Sequence, residues 1–252
     1  MDATIFLEQA RMPMMWAVLL FCGWLAASVS GAAGFGGASL LLPVLTMTVG
    51  AKAAVPVLTI AQLLGNLSRV GFGRRDIRWR PALLFSAGAI PASMIGSRLF
   101  VDLPSSFILR LIGCFLLAVV AMRHTRFGKR RIPERLLVPA GACVGFLSAI
   151  AGSAGPLGAA VFLGLQLPAQ AYVASEAVTA VLMHLTKSVV YGRYAALGLA
   201  DLLQGLALGG AMVLGSWTGR KLIDRMPERG FALLVEALLL GSAVALIAGS
   251  GR

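Results

Sequence analysis

Long apolar runs alternate with short polar connections along nearly the whole chain, and about ten such runs can be drawn: 13–30, 34–49, 51–72, 81–101, 105–122, 135–150, 154–166, 171–192, 197–221 and 229–249. A helix that crosses a bilayer needs about 20 consecutive apolar residues, within a range of about 17–25. By that measure the third, fourth, eighth, ninth and tenth runs are comfortable spans. Runs 34–49 and 154–166 are short, so they enter part of the bilayer or meet near its middle, and the count of full spans comes to about eight. The pattern predicts an all-α, polytopic integral membrane protein.

Glycine interrupts this pattern twice. Gly31-Ala32-Ala33-Gly34-Phe35-Gly36-Gly37 and Gly152-Ser153-Ala154-Gly155-Pro156-Leu157-Gly158 lie between apolar runs, where residues lacking a Cβ or an N–H weaken a helix. Irregular backbone at membrane depth is tolerated only where protein or a polar cavity covers it. Both stretches are therefore expected to be helix breaks around a buried site. They also mark a repeat. Gly31 and Gly34 match Gly152 and Gly155 at an offset of 121 (31 to 152), Asn66-Leu67-Ser68-Arg69 matches His184-Leu185-Thr186-Lys187 at 118 (66 to 184), and Gly96-Ser97-Arg98-Leu99 matches Gly219-Arg220-Lys221-Leu222 at 123 (96 to 219). Three matches in one order at a nearly constant offset indicate a duplication. Residues 1–128 form the first repeat with a basic linker, and 129–252 the second, within one structural domain.

Charge orients the repeats. The chain carries 22 Lys+Arg against 10 Asp+Glu, a net +12, a balance that suggests nucleic acid in a soluble protein. Here the basic residues concentrate in short connections, at 69–80, 123–135 and 220–229, which the positive-inside rule places in the cytoplasm, facing anionic lipid. No zinc finger, recognition helix or RNA-binding motif accompanies them, so nucleic acid is not expected as a partner. The counterpart of 220–229 in the first half, 98–105, has only Arg98 and Asp102, and the counterpart of 69–80 in the second half, 192–198, has only Arg193. The bias changes sides between the halves, which predicts inverted repeats with interrupted helices and a site near the midplane, a design used by secondary transporters. Both termini are then periplasmic. A mean hydropathy of +0.87 agrees with a membrane class. Cys22, Cys114 and Cys143 are odd in number and lie in apolar runs, so neither a disulfide framework nor a metal site is indicated. The first run is preceded by Asp2 and Glu8 as well as Arg11 and recurs as a repeated element, so it reads as a retained helix rather than a signal peptide.

Within this frame few residues can carry chemistry. Gln62, Asn66 and Arg69 are spaced i, i+4, i+7 and share one helix face. In the matching helix, Glu176 and Lys187 point within about 20° of each other, with His184 about 80° from the first and 60° from the second. Polar stripes on two symmetry-related spans point to the bundle interior. Two readings of each residue stay open: Arg69 and Lys187 either snorkel to the interface or contact a solute, Glu176 either pairs with a basic loop or couples protons, and His184 either packs or titrates. Glu236 is assigned to pairing between helices. Each glycine break precedes a short helix, expected to start near Ala38 and near Gly158, whose N–H groups and positive dipole end suit an anion. Ser39 and Ser153 add hydroxyls. Gly34, Gly36, Gly37, Gly152 and Gly155, with Ser39, Ser153, Gln62, Asn66, Arg69, His184 and Lys187, make up the expected site for a small oxyanion, and Glu176 and His184 the candidates for proton coupling.

The run Gly31 to Pro43, then Gly50-Ala51-Lys52-Ala53-Ala54 leading into a polar-striped span, with the whole duplicated later, resembles the sulfite exporter TauE/SafE permeases. The likeness covers nearly the full length. It implies a secondary carrier of the bacterial inner membrane, without cofactor or enzymatic activity, for sulfite, a sulfonate or a related carboxylate. The second copy departs from the first in having Pro156-Leu157-Gly158 for the Gly-Gly ending and no proline matching Pro43, so the anion and the shape of that half-site stay open. So does the oligomeric state, since Gly205, Gly209 and Gly210 can pack within or between chains. Two other readings compete. An intramembrane serine hydrolase would use Ser153 and His184, but the first repeat has Ala32 and Asn66 in their places, so the glycines repeat and the dyad does not. An anion channel would differ from a carrier in lacking an occluded state.

Overall fold

A computed structural model describes residues 3–33, 37–123 and 132–222. These residues form nine α-helices: α1 (Ala3–Ala33), α2 (Gly37–Val49), α3 (Ala51–Gly73), α4 (Trp79–Asp102), α5 (Ser105–Arg123), α6 (Leu137–Ile150), α7 (Gly155–Leu163), α8 (Ala169–Arg193) and α9 (Leu199–Leu222). No strand occurs among the described residues. The first nine apolar runs each coincide with a helix; the run 229–249 with Glu236, the linker residues 124–131, and Arg225 and Arg229 lie outside the described residues. Five helices contain stretches long and apolar enough to cross a membrane, within α1, α3, α4, α8 and α9. The first of these was not among the runs that looked comfortable, because Met14–Gly31 provides only 18 residues.

The short helices are interior elements. Leu41, Leu42 and Leu45 of α2 and Phe162 of α7 are wholly buried, as expected of helices that are apolar all round. Each starts at a glycine, Gly37 and Gly155, 118 residues apart. This corrects two expectations. Gly31 does not begin a break: it sits inside α1, where a Cβ would come within 2.9 Å of the Ser216 carbonyl oxygen, so its small size serves packing against α9. Helix α7 starts three residues earlier than expected because Pro156 occupies its first turn, where the missing N–H costs nothing and the fixed φ favours the helix. The turn that leads into it passes through Gly152 at φ 75°, a conformation that residues with a Cβ rarely adopt.

Two helix pairs meet backbone to backbone. A Cβ on Gly88 of α4 would lie 1.9 Å from the Val138 carbonyl oxygen of α6, and one on Gly141 would lie 2.0 Å from the Phe85 oxygen. On the opposite flank, Gly215 and Gly219 of α9 approach the Trp24 and Ser28 oxygens of α1 at 2.2 Å on the same construction. Such close approach is available only to glycine. Along one seam Phe85 meets Gly141, Ala89 meets Gly145 and Gly96 meets Ala149, and along the other Trp24 meets Gly215 and Ser28 meets Gly219, so α4 runs parallel to α6 and α1 parallel to α9. Helix α3 also runs parallel to α9, with Ile60 beside Gly205 and Leu64 beside Gly209. By contrast α3 and α8 are antiparallel: the last residue of α3, Gly73, lies against Ala174, near the start of α8. The N–H of Arg78, just beyond α3, donates to Ser175 Oγ at 2.8 Å. Arg80, at the start of α4, pairs with Glu134, ahead of α6, at 3.1 Å, so the connection 74–80 and the residues entering α6 share one face of the bundle.

Candidate functional site

On α3 the expected polar stripe forms a connected ladder. Asn66 Nδ2 donates to the Gln62 carbonyl at 2.7 Å and to Gln62 Oε1 at 3.4 Å, and Arg69 Nη2 donates to Asn66 Oδ1. Arg69 Nη1 reaches the Ser30 carbonyl in the last turn of α1 at 3.5 Å and Glu176 Oε2 of α8 at 3.7 Å. With 8% exposure, Arg69 is directed into the bundle and does not snorkel. Glu176 is 4% exposed, and its ion pair is with Arg69 within the bundle rather than with a basic loop.

Helix α8 repeats the motif with different chemistry. Lys187 Nζ donates to Ser148 Oγ at 3.1 Å and to the Ser148 carbonyl at 3.4 Å. Ser30 and Ser148 stand 118 residues apart, as do Arg69 and Lys187, so each cation reaches the carbonyl of the equivalent serine in the last turn of a preceding helix. Those carbonyls have no partner inside their own helix, and a cation at a helix C-terminus is favourable. On α6 the neighbouring orphans are served too: Ala151 N–H donates to the Leu147 oxygen at 2.8 Å and Tyr191 Oη to the Ala149 oxygen at 2.9 Å.

The start of α2 and the turn ahead of α7 come together. Ser39 Oγ of α2 and Ser153 Oγ ahead of α7 are 3.4 Å apart, and a small cavity opens beside them. It has about 30 Å³ of room for the centres of water-sized spheres, enough for two or three waters or one small polyatomic ion. Gln62, Asn66, Arg69, Ser153, Gly155, Glu176 and His184 line it. Lys187, Ser39, Gly37 and Gly152 do not: Lys187 is wholly buried behind Ser148, Ser39 faces the cavity only through Ser153, Gly37 packs on the Ala26 oxygen, and Gly152 lies against Leu42 and Val55. Gly34 and Gly36 lie outside the described residues. Sequence reasoning missed Ser30 and Ser148, which line the cavity where α1 and α6 end. Serine in an apolar helix reads as packing; the signal that singles these two out is their common offset with Arg69 and Lys187.

Helix N-termini contribute less than expected. The N–H groups of Leu157 and Gly158 donate to the Ala154 oxygen, and Pro156 has none to give. Three buried polar atoms of cavity-lining residues have no hydrogen-bond partner among the described residues: Gln62 Nε2, Glu176 Oε2 and His184 Nδ1. A buried polar atom left unpaired costs about 1–3 kcal/mol, so such atoms mark a place where a polar guest is accommodated. Ser153 and His184 make no hydrogen bond with each other: Ser153 Oγ meets Ser39 Oγ, and His184 Nδ1 has no partner among the described residues.

The family model of the sulfite exporter TauE/SafE family matches residues 19–246. The chain belongs to this family. As a TauE/SafE protein it is a multi-pass membrane transporter for sulfite or a similar small anion, which is the role the likeness of its glycine breaks implied. No curated protein and no solved structure matches it.

Proposed function

We propose that this TauE/SafE protein is a secondary carrier that moves a small oxyanion, sulfite, a compact sulfonate or a short carboxylate, across the bacterial inner membrane by alternating access. Its site is the cavity between α3 and α8, with Arg69 as the principal cation and Gln62, Asn66, Ser153 and His184 as neutral contacts. The observation that carries this reading is the placement of Arg69: a guanidinium deep in the bundle, held by Asn66 and lining a small cavity beside the meeting of Ser39 and Ser153. An intramembrane cation lining a cavity marks a solute pathway.

Two inverted repeats support alternation. The packing α4·α6 corresponds to α9·α1, and α3·α9 to α8·α4, when α1, α3 and α4 are matched with α6, α8 and α9. The parallel and antiparallel relations above, with the short connection 74–78 between α3 and α4, support opposite directions for each matched pair, and α3 and α8 pack on one another. On this reading the connection 74–80 and the residues 132–136 ahead of α6 face the cytoplasm and the start of α1 faces the periplasm. Glu176 and His184 are the groups through which protons couple to transport.

Reconstituted vesicles test this reading. Sulfite uptake should saturate and show counterflow, and it should fall at least about tenfold in Arg69→Gln, the loss of one charge-assisted hydrogen bond. Uptake unaffected by Arg69→Gln and by His184→Ala removes the proposed site, and flux without saturation or counterflow replaces the carrier with a channel.

A further inference from the structure

A cavity built only to hold a bare anion presents donors and cations. This one also presents a carboxylate. Glu176 lines the same space as Gln62 and Arg69 and is 4% exposed, and its Oε2 accepts no hydrogen bond from the described residues. Its ion-pair partner, Arg69 Nη1, lies at 3.7 Å, beyond hydrogen-bond length. An ionised carboxylate can only accept. Gln62 supplies the opposite polarity: its Oε1 already accepts from Asn66 Nδ2, which fixes the sense of the amide and leaves Nε2 as an unpaired donor. The cavity thus offers donors on the α3 side and an acceptor on the α8 side, across a space one small ion would fill. Helix α7 closes the α8 side, with Gly158 placed so that a Cβ would lie 3.7 Å from Glu176 Oε1.

Resting on the carrier reading above, we infer that Glu176 selects oxyanions that carry their own proton: the ligand is a hydrogen-oxyanion, whose charged oxygens meet Arg69 and Gln62 while its O–H donates to Glu176 Oε2. Fully deprotonated oxyanions, and sulfonates in which a carbon replaces the O–H, place a lone pair or a methyl group against the carboxylate. A site built to pair a ligand O–H rejects the analogue lacking it, because the buried partner is then left unsatisfied, and a second negative charge adds repulsion. No proton is transferred in this recognition; the O–H bond of the ligand stays intact. His184 Nδ1, on the same wall, accepts or donates according to its tautomer, and Lys187 is held away by Ser148, so Glu176 is the one acidic group among the described residues that line the cavity.

The test compares small anions on the full-length purified protein in neutral buffer, by ligand-induced shift of the melting temperature and by calorimetry. Hydrogensulfite and hydrogenselenite are monoanions with a dissociable proton; methanesulfonate is a monoanion without one; sulfate is a dianion without one. The expected result is at least about tenfold tighter binding of the first two than of either of the others, and a collapse of that ratio in Glu176→Gln, whose amide N–H can serve an aprotic oxygen. Sulfate or methanesulfonate binding as tightly as hydrogensulfite to the wild type overturns the inference while leaving the carrier reading intact. The same ratio persisting in Glu176→Gln also overturns it. If that variant does not fold, the wild-type ratio alone decides. Binding of none of the four overturns the carrier reading and this inference together.

Discussion

Helices α3 and α8 carry the same design at the same register, yet their cations have different occupations. Arg69 lines the cavity, is oriented by Asn66 and faces Glu176 of the other helix. Lys187, 118 positions later, ends on Ser148 with no exposed surface and no acidic partner among the described residues. The position 118 residues before Glu176 is Leu58, itself wholly buried, so no acid faces Lys187 from the first half. On the proposed reading the two halves share a scaffold and divide a function: one cation lines the cavity, the other fastens the end of α6.

The sharpest way to break this comparison is to exchange charge for polarity on each side. Arg69→Gln is expected to lower sulfite affinity by about ten- to a hundredfold, following the loss of charge-assisted hydrogen bonds worth about 1.5–3 kcal/mol, and to abolish the ligand-induced rise in melting temperature. Lys187→Met should leave that ligand-induced rise in place, because the side chain does not reach the guest. It should reduce maximal transport several-fold through a loosened α6 end, and replacing a buried ammonium by an apolar chain of similar length should cost little stability. Equal losses of affinity in both variants would erase the distinction.

A smaller effect is expected from Asn66→Ala. The guanidinium loses the acceptor that orients it, a hydrogen bond worth about 1 kcal/mol, so affinity should fall about fivefold in a titration with sulfite. The His184→Asn change, which gives α8 the side chain that α3 carries, tests whether the difference at this position matters. If Asn at 184 pairs back onto its own helix as Asn66 does onto Gln62, affinity should change less than in Asn66→Ala. The smallest effect belongs to Ser39→Ala: a 3.4 Å hydroxyl contact is weak, and uptake within about twofold of wild type is expected.

How much of this was legible beforehand depends on which physical signal each feature leaves. Hydropathy located every described helix, because burial in lipid or in the bundle demands uninterrupted apolar sequence. Polar residues at i, i+4 and i+7 located Gln62, Asn66 and Arg69, because helical geometry alone puts them on one face. The same argument could not rank Arg69 above Lys187, since both occupy equivalent directions and only their partners differ. Nor did the glycine pattern give the break its register. Gly31 resembles Gly34 in sequence, but it serves the α1–α9 seam, and the start points Gly37 and Gly155 follow the 118-residue spacing instead. The serines at 30 and 148 stayed hidden because a hydroxyl in an apolar helix bonds its own backbone as often as a neighbour, and only the carbonyl beneath it reveals the contact with the cation.

The glycine seams have a mechanical corollary. Where Gly88 meets Val138 and Gly141 meets Phe85, and again where Gly215 meets Trp24 and Gly219 meets Ser28, no side chains intervene that could change rotamer and let one helix slide over the other. Each joined pair must travel as a single stiff plank. The alternating access proposed above would then be absorbed between the planks, along the mutual surface of α3 and α8, with the proposed site at the pivot.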